Sequence, residues 1–518
     1  MARPDNPNNP DRREPDRSSD GQAAAHEVEA EIEELGDPET GPTLPATTLA
    51  ARGTIPDHAT ARPTSRRQPA SGLTREIVHL GWPVMLSQGL VSIAGLVDRA
   101  MIGRLGGEAG SAVPLAAVGY ATQFFFLIQS ALFAVGLACV ALMARAIGAG
   151  EPERSRQALS ASMQIALGVT LVFSALMLAA PAQLMGLLGA EPEVVEAGLP
   201  YLQLVVGSSV LLAITLTFDS ALRADRNTRT PMLIALVITA VKLVGNYLLI
   251  FGELGLPRLG LVGAGIATAI SHAIGVVIYV VLFARRRGDG ATGFRWRSIL
   301  SRSPLTAQVI RVAAPGILER VILNLSLLSY FWVLSRYYGT LAVAAYTVGV
   351  PLLSFSWIPG SGYAQSCATL VGQRLGAGDR AGARATGVRA SQLALATAIP
   401  LGVLFGLFRF PLARIFTDDA AVIEALGPFM LALAVGQPFL QLHFTLGGAH
   451  RGAGDTMTPL IAASVGNWLL RVPLACLFAI VLEADVVWVW YALVIDHASR
   501  AALLLWSFHR GRWMSRLD

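Results

Sequence analysis

The sequence predicts an all-α integral membrane protein whose twelve transmembrane helices form two six-helix bundles, the product of an internal duplication. Three observations carry this expectation. Apolar stretches long enough to cross a bilayer, which takes about 20 residues each, recur twelve times after residue 72. Arginines gather in alternate loops, and several loop motifs repeat at one fixed offset. Composition agrees, since 53% of the 518 residues are apolar, only 14% are charged and the mean hydropathy is +0.54. A soluble chain of this length carries roughly 25% charged residues, so a water-exposed globular surface is hard to build.

Residues 1–72 hold 13 acidic and 8 basic residues and no long apolar run. Such a segment cannot bury enough surface to offset the entropy of ordering, and a disordered cytoplasmic tail is expected. Within it His26 to Leu35 (HEVEAEIEEL) reads either as a short acidic docking helix or as solvated spacer. No basic segment, apolar core and small-residue cleavage site follow one another near Met1, so no signal peptide is expected. The N-terminal bundle, 73–290, contains predicted spans at 77–102, 115–143, 158–180, 199–221, 231–251 and 261–284. A cytoplasmic linker, 291–306, leads to the C-terminal bundle, 307–518, with spans at 307–335, 342–371, 390–410, 426–447, 459–482 and 486–508. Gly and Pro inside several spans suit membrane helices, which tolerate both better than soluble helices do.

Orientation follows from positive charge, which cytoplasmic loops retain. With the tail inside, the even-numbered loops and the C-terminus hold 20 arginines, Arg145, Arg223, Arg374 and Arg451 among them, against 6 on the opposite side. Both termini are therefore expected in the cytoplasm. After the tail is removed the remaining residues carry 32 basic and 22 acidic side chains, a net +10 that reflects topology rather than nucleic-acid binding. Of the 40 basic residues 39 are Arg, and the single lysine is Lys242.

The duplication is legible in three places. ALRADRNTRTP (Ala221 to Pro231) returns as AHRGAGDTMTP (Ala449 to Pro459) at an offset of 228, with Ala, Arg, Thr, Thr and Pro in register. Gly148-Ala149-Gly150-Glu151 returns as Gly376-Ala377-Gly378-Asp379, and Cys139 aligns with Cys367, both at that offset. Farther upstream Pro83 pairs with Pro315 and Arg104 with Arg336 at offset 232. Parallel repeats of this kind form two bundles about an axis along the membrane normal. Transporters place substrate and ion sites between such repeats and alternate access by rocking one against the other.

These residues resemble the multidrug and toxic compound extrusion family of secondary transporters, in a broad bacterial branch. The resemblance covers about Leu73 to Arg516. It rests on Pro83 followed by Asp98 and then Gly103-Arg104-Leu105-Gly106, on TLVGQRLGAGD at Thr369 to Asp379, and on the paired loops ending T-R-T-P and T-M-T-P. Pro315-Gly316-Ile317-Leu318-Glu319 points to the bacterial branch; in the sodium-coupled branch the acid of the seventh helix lies about one turn later. The resemblance implies a multi-pass protein of the bacterial inner membrane, a monomer whose partners are the lipid bilayer and an amphipathic small-molecule substrate. It implies no cofactor beyond a coupling ion, H+ or alternatively Na+.

Charges inside a membrane helix cost about 2.5–3.5 kcal/mol on insertion scales, which makes each a functional hypothesis. Asp98, in the outer half of the first span, has no charged neighbour among Ala94-Gly95-Leu96-Val97. The resemblance makes it a proton- or ion-responsive carboxylate; the residues alone leave open a structural pair with Arg99. Lys242 falls near the middle of the fifth span with Asn246 one turn on, where i and i+4 share a face. Relatives usually carry Asn and then Asp there, so this chain departs from the pattern at both positions. One reading pairs Lys242 with Asp98 in place of a sodium ion or second proton; the other has it hydrogen-bonding backbone carbonyls. Glu319 is the clear intramembrane acid of the second half, next to Arg320, and Arg471 of the eleventh span is its expected partner across the bundle.

Gln88, Tyr120, Arg471 and His443 are further candidates for lining a cavity, with Gln437 and Gln441 near the last. The tenth span has no carboxylate, which argues against a sodium site there, because sodium wants hard oxygen ligands. Asp496, His497 and Arg500 are spaced for local pairing. The three cysteines lack metal-ligand spacing, and no metal site is expected. Hydrolase signatures and a phosphate-binding loop are missing from the sequence, which argues against an enzyme and against direct ATP coupling. The expected function is an antiporter that exports amphipathic, often cationic, molecules in exchange for protons, with flipping of a lipid-linked precursor as the alternative.

Overall fold

The computed structural model describes residues 70–106, 113–285, 292–294, 303–416 and 419–515. The expected tail up to residue 69, its acidic stretch His26 to Leu35 and most of the expected linker lie outside them. Twelve long helices follow in order. In the first half these are α1 (Ala70–Gly103), α2 (Val113–Gly148), α3 (Pro152–Ala179), α4 (Pro192–Ala224), α5 (Arg229–Phe251) and α6 (Gly260–Arg285). The second half has α7 (Thr306–Tyr337), α8 (Gly339–Gly376), α9 (Arg380–Leu407), α10 (Ala420–Gly452), α11 (Met457–Val481) and α12 (Val486–Arg510).

Eleven of them are long and apolar enough to cross a membrane. The remaining one, α12, is equally continuous but carries Asp496, His497 and Arg500 in its middle. Most helices outrun the predicted apolar windows at one or both ends; α2, for example, reaches Gly148 rather than 143. The backbone ladder continues past the last apolar residue into the polar loop, where hydropathy has no signal. Two helices are interrupted, α4 at Ser208 and α8 at Trp357, with Pro359 in the first turn after the second break. In α11 the stretches Val465–Arg471 and Leu477–Val481 are π-helical, a geometry frequent at functional positions.

The duplication is built into the backbone. The amide of Glu151 donates to Ala146 O at 2.9 Å, as Asp379 does to Arg374 O at 2.8 Å. Asn227 donates to Leu222 O, and Asp455 to His450 O, at 2.9 Å each. Thr230 N and Thr458 N donate to the side chains of Asn227 and Asp455 at 3.1 and 3.2 Å. Arg226 sits at φ 59° where its counterpart is Gly454 at 81°. Short helices at Pro181–Leu187 and Arg409–Arg414 also begin 228 residues apart, although their sequences are unlike.

Each half has its own aromatic core. In the first, Phe218 meets Phe283 at 4.3 Å and Phe294 at 5.2 Å between ring centroids. In the second, Trp490 stacks on Tyr346 at 6.1 Å and meets Phe429 edge-on at 5.0 Å. Large apolar side chains such as Leu176, Leu328 and Leu407 are exposed on the outside, as a lipid-facing surface requires. Hydrogen bonds joining the halves cluster at the arginine-rich end: Thr369 Oγ1 donates to Arg223 O at 3.0 Å, Gln373 Nε2 to Ala224 O at 2.7 Å, and Arg374 to Glu76 at 3.2 Å. Gly148 and Gly376 permit this approach reciprocally, because a Cβ on the first would strike the carbonyl of Gln373 and one on the second that of Arg145.

Candidate functional site

Two polar sites emerge, one in each half. In the first, α1 packs along α5 and brings Asp98 to the turn that carries Lys242 and Asn246. The Lys242 ammonium is paired with Asp98 Oδ2, and Asn246 Nδ2 donates to Oδ1 at 2.7 Å. Both carboxylate oxygens are therefore engaged by α5. The side chains of Asp98 and Lys242 remain 14% and 28% exposed, whereas Asn246 is buried and its Oδ1 has no partner. Tyr201 of α4 and His272 of α6 lie within electrostatic range of Asp98 and Lys242, respectively. Arg99, the other conceivable partner of Asp98, is exposed on α1.

In the second half Glu319 accepts from Arg451 Nη2 at 2.6 Å, not from Arg471. The expected Glu319–Arg471 pair is thus corrected, for a geometric reason. Arg471 lies 4.4 Å over the ring of Tyr330, eleven residues beyond Glu319 on α7, which at 1.5 Å per residue is about 16 Å along the helix. There it approaches Asp496 at 4.0 Å. Asp496 is already held by Arg500 through bonds of 2.5 and 2.6 Å, and Arg500 also donates to Asn467 at 2.7 Å. Gly466 makes room for this pair, since a Cβ there would collide with it. Arg471 Nε and Nη2 keep no partner.

His443 donates from Nδ1 to Phe439 O at 3.1 Å and stacks on His497 with ring centroids 5.1 Å apart. Gln437 Nε2 is bonded to Ser356 Oγ, and Gln441 Nε2 donates to Ser356 O at 2.7 Å, tying α10 to the first segment of α8. His443 lines a partly enclosed cavity of about 80 Å³ together with Glu319, Arg320, Arg451 and Arg500. Tyr120 is half-buried against the first-half core, and Gln88 is half-buried on α1 about three turns before Asp98; neither reaches the Asp98 cluster through a hydrogen bond among the described residues.

Sequence reasoning missed Arg451, counting it as a loop arginine that sets orientation. The available signal was the repeat, because Arg451 is the counterpart of Arg223. Arg223 also binds a carboxylate, Asp219, at 2.5 Å. Gly447, whose absent side chain leaves space for the Arg451 guanidinium, gave no signal by itself. Among the described residues no group of three or more His, Cys, Asp or Glu side chains is placed to hold a metal ion.

With this geometry in place, comparison with known proteins is specific. The sequence profile of the MatE family matches the chain twice, over residues 83–248 and 315–477, once in each half. A probable multidrug resistance protein NorM from Bradyrhizobium diazoefficiens is 31% identical over 465 residues, covering 85% of this chain and 96% of that protein. A namesake from Thermotoga maritima is 27% identical over 448 residues, covering 86% and 94%. Among solved structures, a MOP superfamily transporter from Pyrococcus furiosus is similar with a TM-score of 0.79 at 21% identity, covering 86% of this chain and 97% of that one. An outward-facing multidrug resistance MATE transporter gives 0.78 at 20% identity, with the same coverage. At such identity the structural likeness establishes the fold.

Proposed function

Because this chain belongs to the MatE family of multidrug and toxic compound extrusion transporters, we propose that it exports amphipathic, often cationic, small molecules in exchange for protons. In this reading it acts as a monomer in the bacterial inner membrane with both termini in the cytoplasm, and Asp98 is the coupling carboxylate. The observation that carries it is the pairing of Asp98 with Lys242 and Asn246. As drawn, the cluster is electrically balanced: one carboxylate, one ammonium, one amide. A proton arriving from outside adds to a carboxylate oxygen and breaks the ion pair, leaving Lys242 as an uncompensated cation in a low-dielectric setting. That cation repels a cationic substrate and drives its release. Loss of the proton on the inner side restores the pair.

Lys242 also bears on ion choice. A sodium ion at Asp98 has to displace an ammonium already bound there, whereas a proton only has to reach a carboxyl side chain that is still partly exposed. The deciding experiment is transport by the purified protein in proteoliposomes under imposed pH or sodium gradients. Export of a lipophilic cation that follows the pH gradient supports the proposal; export that follows sodium and ignores pH overturns the ion, and gradient-independent equilibration of a labelled lipid turns the function into flipping. Replacing Lys242 removes the fixed cation, so Lys242→Asn should change the coupling stoichiometry or the pH profile. Transport identical to wild type at every pH would remove Lys242 from the mechanism.

A further inference from the structure

The cavity of the second half has a charge balance opposite to that of a cation site. It is walled by α2, α7, α8, α10, α11 and α12. Three guanidiniums, those of Arg320, Arg451 and Arg500, line it against one carboxylate, Glu319, while Asp496 lies behind with Arg471 beside it. Glu319 is taken by Arg451, and Asp496 by Arg500 with Arg471 at 4.0 Å. Arg320 shares the attraction of the neighbouring Glu319 carboxylate with Arg451, which already binds it. The Arg320 guanidinium carbon lies 4.7 Å from the ring centre of Phe133 on α2, and no hydrogen bond or ion pair engages it among the described residues. His443, which lines the cavity, and His497 stacked on it offer no negative charge.

A second feature points the same way. Gln365 lines the cavity, is only 7% exposed, and its amide Nε2 has no acceptor. A buried donor without a partner and a guanidinium that shares one carboxylate with a second arginine are each unfavourable in a membrane interior. Both line the same cavity, so a negatively charged group bound there offers the guanidinium a counter-charge and the amide an acceptor. Part of the wall is aromatic and apolar: Trp357 and Phe444 stack at 5.9 Å, 24° from parallel, and Leu323 and Phe133 line the same space.

We propose that this cavity binds an anionic amphiphile, a sulfonate, carboxylate or phosphate head on a flat apolar body, with Arg320 holding the head and Trp357 and Phe444 the body. Arg320 is the lining guanidinium with no ion pair of its own; Gln365 adds a donor; Glu319 limits affinity by attracting both Arg320 and Arg451. The proposal goes beyond proton-coupled cation export and needs neither a gradient nor Asp98.

Equilibrium binding to the full chain in phosphatidylcholine nanodiscs tests it with two probes of one shape and opposite charge, 2-naphthalenesulfonate and 2-naphthyltrimethylammonium. Because no gradient is imposed, the result is independent of whether Asp98 couples export to protons. Wild-type protein should bind the sulfonate saturably. Arg320→Gln should weaken that binding about tenfold or more, the worth of one charge-assisted pair, and Arg320→Lys should retain most of it. Glu319→Gln should free Arg451 and tighten sulfonate binding several-fold, a gain that no misfolded protein produces. Discs containing phosphatidylglycerol separate the sources of the head. Displacement of the sulfonate from wild type by that lipid identifies a lipid head, and its absence a soluble anion; either keeps the site. Lack of saturable sulfonate binding, equal or greater affinity for the ammonium probe, or an Arg320→Gln protein that binds the sulfonate as tightly as wild type overturns it.

Discussion

The two halves descend from one sequence but place charge in opposite ways. In the first, one carboxylate is matched by one ammonium and one amide, and the ion pair is partly open to solvent. In the second, two carboxylates serve four guanidiniums; Asp496, Arg471 and Arg500 are deeply buried. The difference teaches what each arrangement can do. A matched pair that is still partly exposed is cheaper to break and remake, which suits a step repeated every transport cycle. A buried acid shared by two arginines is costly to disturb, which suits a permanent strut. Glu319 and Arg320 lie between these extremes, at the edge of a cavity where an incoming group can alter the balance.

The comparison fails most visibly if the buried network proves dispensable. Asp496→Asn strands Arg471 and Arg500 without a counter-ion, and removing one partner of a buried pair costs about 3–5 kcal/mol. Thermal unfolding in detergent should show that loss; a shift within experimental error would mean that the network is not a strut. Asp98→Asn tests the other side. It should leave unfolding nearly unchanged and lower pH-driven export roughly a hundredfold, the scale of losing a positioned proton-transfer group. If it unfolds the protein while Asp496→Asn spares it, the assignment of roles is reversed.

Gly376→Ala probes the seam between the halves. A methyl group there meets the carbonyl of Arg145, and forcing it in should cost the closed arginine-rich end about 1–3 kcal/mol. Export should slow while equilibrium substrate binding is kept, which parallel transport and binding assays would show. The smallest effect serves as a baseline outside both sites. Tyr338 donates its hydroxyl to Ala484 O at 2.9 Å, so Tyr338→Phe should cost about 1 kcal/mol in unfolding. Burial, with the Asp485 carboxylate adding to it, holds this phenol above its usual value. Its contribution is therefore present at neutral pH and is lost only as pH rises through that raised value. A constant difference between mutant and wild type across that alkaline range would exclude the hydroxyl as its source.

Much of the architecture was legible in advance because bilayer thickness and hydropathy are properties of local sequence. Twelve apolar runs, their order and the 228-residue repeat need no knowledge of packing. Helix ends were less legible, as α2 shows by continuing through Arg145 to Gly148; backbone hydrogen bonding persists where apolar character stops. Breaks at Ser208 and Trp357 and the π-helical turns of α11 left no pattern, since each depends on what the neighbouring helices supply. At the sites, the unusual residues were visible but their partners were divided. The i, i+4 spacing put Lys242 and Asn246 on one face, and the structure sets both against Asp98. Glu319 stood out equally well, yet its partner came from the end of α10 instead of α11.

What the sequence determined by itself is therefore the inventory: how many helices, how they repeat, and which few charges enter them. Only the tertiary structure decided which charges meet. Ion pairing acts over a few ångströms between helices far apart in the chain. One turn of axial offset or rotation, set by Gly447 beside Arg451 or Gly466 beside Asp496, decides whether an arginine reaches one carboxylate, shares another, or lines a cavity with no ion pair of its own.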